Sequence, residues 1–270
     1  MNADTAVITT ATLRTMKRNG EKFACLTAYD ASFARVLEEA GVEVLLVGDS
    51  LGMVIQGRDT TLPVSVADMI YHAQCVRRGA QGPLLIVDMP FMSHASPVQA
   101  LGNAARLMKE GGAQVVKLEG GAVMVDTVAH LARHGIPVCA HLGLLPQSVH
   151  KLGGYKVQGK DQSAAAQIVA DARAMQEAGA DLILLECVPA ALAEQVTASV
   201  EVPVIGIGAG AACDGQVLVL YDLLGISAGK APRFVKNFLA SSPGGVREAV
   251  RAYVQAVKDR SFPAREHSFS

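Results

Sequence analysis

Tryptophan is absent from the 270-residue chain, and aromatic residues make up only 4% of it. The stacking platforms on which single-stranded nucleic acids are held are therefore scarce. Charge is thin too, at 18% of residues against roughly 25% in an ordinary soluble domain. Basic and acidic residues number 24 and 25, a formal net charge of −1, so no global footprint for nucleic acid or an anionic membrane is present. Long apolar runs are missing. The uncharged stretches 89–105 and 134–146 contain Pro, Ser, Gln or His and fall short of the ~20 apolar residues of a membrane span. The opening MNADTAVITTATLRTMKRNG lacks the basic-then-apolar order of a secretory signal. No Cys-x-x-Cys pair occurs among the cysteines at 25, 75, 139, 187 and 213, and four of them lie in apolar contexts. Reduced core thiols in a cytoplasmic protein are expected. Membrane, secreted and disordered classes are disfavoured.

What remains is apolar: half of the residues are hydrophobic. That fills a large core and leaves a surplus suited to an interface between copies of the chain. Short β-branched runs at 23–28, 44–48, 84–88, 115–119, 138–142, 182–187, 204–208 and 217–220 read as strands. Most are continuously apolar, as parallel strands buried on both faces require. Between them lie helical patterns that end on glycine, such as SFARVLEEAG at Gly41 and AAAQIVADARAMQEAG at Gly179. Eight strands with intervening helices predict an α/β fold, a (β/α)8 TIM barrel. An open doubly wound sheet competes, but no GxGxxG follows the first strand. The eighth strand is the least regular, because VLVLYDLLG has partly helical character. Additional helices around 11–19 and 245–257 flank the barrel. No Pro-, Gly- or Ser-rich linker divides the chain, so residues 1–270 read as one domain.

In such a barrel the C-terminal strand ends carry the chemistry. Read in order they supply Tyr29-Asp30, Asp49-Ser50, Asp88, Lys117 with Glu119, His141 and Glu186. Several carboxylates, one Lys and one His thus converge on one mouth of a charge-poor protein. Burying that many acids is costly without a counter-charge, and a hard divalent cation such as Mg²⁺, which takes oxygen ligands and keeps waters, is the natural partner. Plainer readings stand beside this one. Asp30 precedes a helix and reads as its N-cap, whereas loops follow Asp49 and Asp88. Lys117 and Glu119, two apart on a strand, face one side and form either a structural ion pair or a functional one. His141 is either a satisfied core histidine or a functional group.

Other signals are weak. GYKVQGKD at 154–161 nearly spells a phosphate-binding loop, but Asp161 replaces the Ser or Thr and no strand directly precedes it. His130 and His134 have the i,i+4 spacing of a zinc pair, yet they lie near a helix C-terminus, where histidine meets the dipole. GIGAG at 206–210 reads as a tight βα turn whose amides can approach an anion or a flat ring.

Long motifs carry a resemblance. LLVGDSLGMVIQGRDTTLPVSVADMIYHAQCVRRGA at 45–80, DMPFMS at 88–93, VKLEGG at 116–121, HLGLLPQSVHKLGGYKVQG at 141–159, IGIGAGAACDGQVLVLYDLLG at 205–225 and PRFVKNF at 232–238 resemble the ketopantoate hydroxymethyltransferase family. The likeness runs from about residue 27 to 238. It implies a barrel of the phosphoenolpyruvate/pyruvate type and transfer of a hydroxymethyl group from 5,10-methylenetetrahydrofolate to 3-methyl-2-oxobutanoate, giving 2-dehydropantoate for pantothenate synthesis. It also implies a cytoplasmic, Mg²⁺-dependent homo-oligomer, commonly a decamer, without nucleic-acid or membrane partners. By resemblance, Asp49 and Asp88 are metal-site residues, and Glu119 completes that site directly or through water. Asp49, Ser50, Asp88 and Lys117 hold the keto acid, and Glu186 is the general base.

The chemistry of the residues agrees with those roles. A 2-oxo acid that chelates Mg²⁺ has its ketone polarised and its C3–H acidified. Glu186 takes that proton, Lys117 and Ser50 orient the substrate carboxylate, and the enolate carbon attacks the methylene iminium of the opened folate ring. The GIGAG turn and the 145–160 loop are candidates for shaping the pterin entrance. Two other readings are a lyase or mutase of the same superfamily acting on another enolisable 2-oxo acid, and a non-catalytic oligomeric scaffold with an inherited mouth. A tetrahydrofolate requirement separates the first; loss of Asp49, Asp88 or Glu186 would favour the second, and all three are present.

Overall fold

A computed structural model of the chain describes residues 7–270. The first six residues, part of the segment read for a secretory signal and of the domain span, lie outside the described residues. The chain runs α1 (Thr10–Asn19), β1 (Phe23–Thr27), α2 (Ala31–Glu39), β2 (Val44–Val47), α3 (Leu51–Val54), α4 (Val66–Gly79), β3 (Leu84–Asp88) and α5 (Pro97–Lys109). It continues through β4 (Val115–Glu119), α6 (Val125–Arg133), β5 (Val138–Gly143), α7 (Val149–Leu152), α8 (Gln162–Glu177) and β6 (Leu182–Glu186). The last elements are α9 (Ala190–Ser199), β7 (Val204–Ile207), β8 (Gly215–Leu218), α10 (Leu220–Leu223) and α11 (Val246–Lys258). Each strand pairs in parallel with the next and β8 returns to β1, closing a (β/α)8 barrel.

The two-residue period of a strand divides each apolar run between two cores. Residues pointing into the barrel, among them Phe23, Cys25, Val44, Leu46, Leu84, Ile86, Val115, Cys139, Leu182 and Leu184, form one cluster. Their neighbours, such as Leu45, Leu85, Val87, Val116 and Leu118, pack outward against the helices. Continuing the inward series upward gives Asp88 after Ile86, Lys117 and Glu119 after Val115, His141 after Cys139 and Glu186 after Leu184. The interior is therefore apolar below and ionisable at the C-terminal mouth. The lower end is closed by α1. Its Leu13 joins the inner cluster, and Lys17 Nζ reaches Thr197 O at 2.9 Å, Val202 O at 3.0 Å and Asp214 Oδ2 at 3.0 Å.

Two expectations are corrected. The eighth strand was placed at 217–220 but runs Gly215–Leu218, and Leu220–Leu223 is helical. The reason is steric: a Cβ at Gly215 would come within 2.3 Å of the Phe23 ring, so only glycine lets β8 pair with β1 that far down. No helix joins β7 to β8 among the described residues, so this connection departs from the regular strand–helix alternation. The seam between β8 and β1 is covered by α11, whose Tyr253 hydroxyl shares its proton between Gln216 O at 2.8 Å and Cys25 O at 3.0 Å. Among the described residues no helix is long and apolar enough to cross a membrane. The five cysteines are free; Cys25, Cys139, Cys187 and Cys213 are buried and Cys75 is half-buried.

Candidate active site

Strand register brings the predicted residues together. Asp88 is paired across the ladder with Lys117, Glu119 with His141, and Glu186 with Gly143. Lys117 Nζ lies 2.9 Å from Asp88 Oδ1 and 3.3 Å from His141 Nδ1. The ion pair that the sequence left open is thus made with Asp88. It is a close contact without the alignment of a directed hydrogen bond, since Asp88 Oδ1 has no hydrogen-bond partner among the described residues. Glu119 instead faces His141, with Oε1 3.6 Å from Nδ1. His141 Nε2 lies 3.2 Å from Glu186 Oε2, also out of line for a directed bond. Asp49 and Ser50 lie just beyond β2, after Gly48. The Asp49 N–H donates to Asp88 Oδ2 at 3.1 Å, and Ser50 Oγ shares a hydrogen bond with Tyr29 OH at 2.8 Å.

These groups are sealed from water: Asp49, Asp88, Lys117, Glu119 and His141 are between 2% and 8% exposed. The electrostatics follow. Burial pushes the Asp49 carboxyl up to about 7, aided by the charges of Asp88 and Glu119. Burial alone would lower Lys117, but the carboxylates of Asp88, Glu119 and Asp49 outweigh it and hold the ammonium charged. In Glu119 burial is likewise overcome, by His141, Lys117 and the Gln147 N–H, and its pKa is lowered. Burial and Lys117 depress His141, yet its contacts with Glu119 and Glu186 leave it raised. Lys117 can only donate, so a neutral His141 accepts at Nδ1 and keeps its proton on Nε2. The protonated ring also carries a proton there, so Nε2 presents an N–H toward Glu186 in both forms. Glu186 is the more open member, its side chain 15% exposed.

Residues 7–265 match the family model described as ketopantoate hydroxymethyltransferase. The chain belongs to this family. The 3-methyl-2-oxobutanoate hydroxymethyltransferase of Thiobacillus denitrificans is 63% identical over 263 residues, covering 97% of this chain and 99% of the relative. The enzyme of the same name from Nitrosococcus oceani is 60% identical over 262 residues, with the same shares covered. Among solved structures, a phosphonomutase-like protein from Burkholderia cenocepacia matches with a TM-score of 0.63 at 21% identity, over 80% of this chain and 93% of that one. A 2,3-dimethylmalate lyase of the PEP mutase/isocitrate lyase superfamily matches with a TM-score of 0.58, also at 21% identity, over 81% and 83%. These two likenesses concern the barrel alone. Family membership makes the chain an enzyme of the hydroxymethyltransferase class and sets aside the scaffold reading.

In this hydroxymethyltransferase the charge balance of the mouth bears on a metal. Asp49, Asp88 and Glu119 surround Lys117 as the fixed cation among them, and Asp49 is raised by burial first and by the charges of Asp88 and Glu119 after it. Among the described residues no three His, Cys, Asp or Glu side chains converge on one cation position, because Lys117 and Gln147 lie between the acids. Mg²⁺ needs no such cage: it binds through one or two carboxylates and fills its shell with waters and substrate oxygens. The donor set of Asp49, Asp88 and Glu119 fits that ion in chemistry and in charge.

Several plainer readings are also settled by contacts. Asp30 is the N-cap of α2, its Oδ1 accepting from Ser32 N and Phe33 N. Asp161 caps α8 and accepts from Ala164 N, which accounts for the residue that spoils the phosphate-loop pattern. His134 Nδ1 lies 2.8 Å from His130 O at the end of α6. At the GIGAG turn the space beside Gly208 (φ +60°) is taken by the chain itself, since a Cβ there would meet the rings of Phe234 and Phe269. The sequence reading reached the 145–160 loop but did not single out one residue in it. Gln147, in the segment after β5, donates from its backbone N–H to Glu119 Oε2 at 3.0 Å and from Nε2 to Asp49 Oδ2 at 2.8 Å.

Proposed function

We propose that the enzyme transfers a hydroxymethyl group from 5,10-methylenetetrahydrofolate to 3-methyl-2-oxobutanoate. One water is consumed, and 2-dehydropantoate and tetrahydrofolate are released on the route to pantothenate. The observation that carries this reading is the placement of Glu186: a carboxylate outside the Lys117–Asp88 pair, beside His141 Nε2 at 3.2 Å, at the rim of a buried acid cluster. Asp49 and Asp88 would hold Mg²⁺, with Glu119 completing the site through water; when bound, the ion supplies Lewis-acid polarisation of the substrate ketone and so acidifies the adjacent C3–H. Lys117, held charged, neutralises the substrate carboxylate, and the Ser50 hydroxyl, oriented by Tyr29, aligns it. Glu186 removes the C3 proton, with His141 Nε2 steadying the carboxylate. The freed carbon then takes up the one-carbon unit. The direct test is product formation from keto acid, methylenetetrahydrofolate and Mg²⁺, each omitted in turn. Turnover without the folate would overturn the donor and revive the lyase or mutase reading.

The metal site makes its own prediction. Asp49→Ala removes a buried carboxylate from the donor set. Keto-acid binding should weaken by about 10–100-fold, with the loss growing as Mg²⁺ is withdrawn. A variant whose binding responds to a chelator as the wild type does would remove Asp49 from the site. The proposal extends to a cytoplasmic homo-oligomer. Exposed apolar residues such as Tyr71, Val98 and Val123 offer area for subunit contact, and five free thiols suit a reducing compartment. Light scattering of the purified enzyme gives the subunit number, and a monomer would sink the oligomer.

A further inference from the structure

The ionisable groups of the mouth come from strand ends, but a neutral residue ties them together. Gln147 is 7% exposed and spends three donor contacts on three different strand ends. Its backbone N–H reaches Glu119 Oε2 at 3.0 Å, at the last residue of β4. Its side-chain Nε2 reaches Asp49 Oδ2 at 2.8 Å beyond β2 and Met89 O at 3.0 Å beyond β3. The segment that carries it is anchored to the end of β6 on both sides. Leu144 N donates to Glu186 O at 2.8 Å, and Gln158 N donates to Cys187 O at 2.9 Å. Gly143 makes the first anchor possible: at φ +90° it passes so close that a Cβ would lie 2.3 Å from Glu186 O.

We infer that Gln147 is a positioning residue that fixes the orientation of the Asp49 carboxylate relative to Glu119. The residue type suits the task. A carboxamide donates hydrogen bonds to a buried carboxylate without cancelling its charge, whereas Lys or Arg would neutralise it and compete with any cation placed there. One nitrogen shared between Asp49 and the Met89 carbonyl defines a direction as well as a distance. The same residue seats the segment whose two ends grip the backbone of Glu186 and Cys187. Gln147 thereby links the base-bearing strand end to the carboxylates opposite.

The inference rests on the reading of Asp49 as part of the substrate and metal site, so Asp49→Asn is measured in parallel. The readouts are the dissociation constant of 3-methyl-2-oxobutanoate by calorimetry, with Mg²⁺ and without folate, and the thermal midpoint of each variant. Gln147→Leu removes the side-chain donor and keeps the backbone N–H. Its dissociation constant should rise by about 10–100-fold, the usual cost of losing a group that orients a ligating residue. Asp49→Asn should weaken binding as well. A lowered thermal midpoint with unchanged binding would mark a structural role and overturn the inference. Normal binding by Gln147→Leu with impaired Asp49→Asn overturns it alone, and normal binding by both overturns the site reading with it. Impaired Gln147→Leu beside normal Asp49→Asn would mean direct contact with substrate, which also overturns positioning. Gln147→Glu keeps the shape and substitutes a repelling carboxylate. Should the Leu variant fail to fold, Gln147→Glu stands in with the same expected loss and the same overturning result.

Discussion

Glu186→Gln is expected to slow exchange of the substrate's C3 proton in D₂O, with Mg²⁺ and no folate, by about 10²–10⁴-fold. Affinity for the keto acid should stay within a few-fold. The size follows from removing a positioned base without altering shape, and the selectivity follows from geometry. Lys117 is held protonated by the carboxylates around it and cannot accept a proton. His141 is 2% exposed, and Lys117 and Glu119 crowd its Nδ1 while Nε2 already carries a proton. Asp88 is engaged by Lys117 and by the Asp49 N–H. Glu186 is the carboxylate with an open side toward the mouth. Exchange at the wild-type rate would remove it as the base. Loss of exchange together with loss of binding would instead move it into the binding set.

The second large effect belongs to Lys117→Met. Methionine matches the length of the lysine stem, so packing is nearly kept while the charge is lost. Asp88, Glu119 and Asp49 then share a buried mouth with no fixed cation. Breaking one side of a buried pair costs about 3–5 kcal/mol. For a domain of this size that lowers the melting temperature by on the order of 10 °C. Part of the cost is relieved if a carboxyl takes up a proton instead. Added Mg²⁺ should restore some of the lost stability, because a ligand that binds only the folded state raises its melting point. Scanning calorimetry with and without the ion checks both statements. An unchanged melting point would make Lys117 a bystander, and a fall in stability that Mg²⁺ does not relieve would count against the acid cluster as a metal site.

The contrast between what could and could not be read in advance has a physical basis. Inward-facing charges stood out because each interrupts an apolar strand at its C-terminal end, as Lys117 and Glu119 do after Val115. Asp30 was legible as a cap because capping is local, decided within three residues. Partners were not legible. Whether Lys117 meets Glu119 two residues away or Asp88 on the next strand depends on register, and the register chose Asp88. Gln147 gave no signal because an uncharged loop residue has none to give. Its partners lie 28 and 98 positions back in the chain. At Gly208 the turn was legible, but not the Phe269 ring, from the far end of the sequence, that an added Cβ would meet there. The start of β8 was misplaced because Gly215 lacks the side chain by which strands are recognised.

The buried thiols turn the barrel into its own stopwatch. Alkylating reagents attack thiolates, and burial pushes Cys139 and Cys213 up to about 12 and Cys25 well upward. Cys25 and Cys139 are sealed in a closed sheet with no edge to fray, and Cys213 is buried in the connection beside it, so modification has to wait for the barrel to part. Cys25 marks β1, Cys139 marks β5, and Cys213 marks the helix-free crossing into β8. Equal labelling rates at the three sites would mean that the ring opens all at once. An early Cys213 would identify the crossing from β7 to β8 as the place where the ring first breaks.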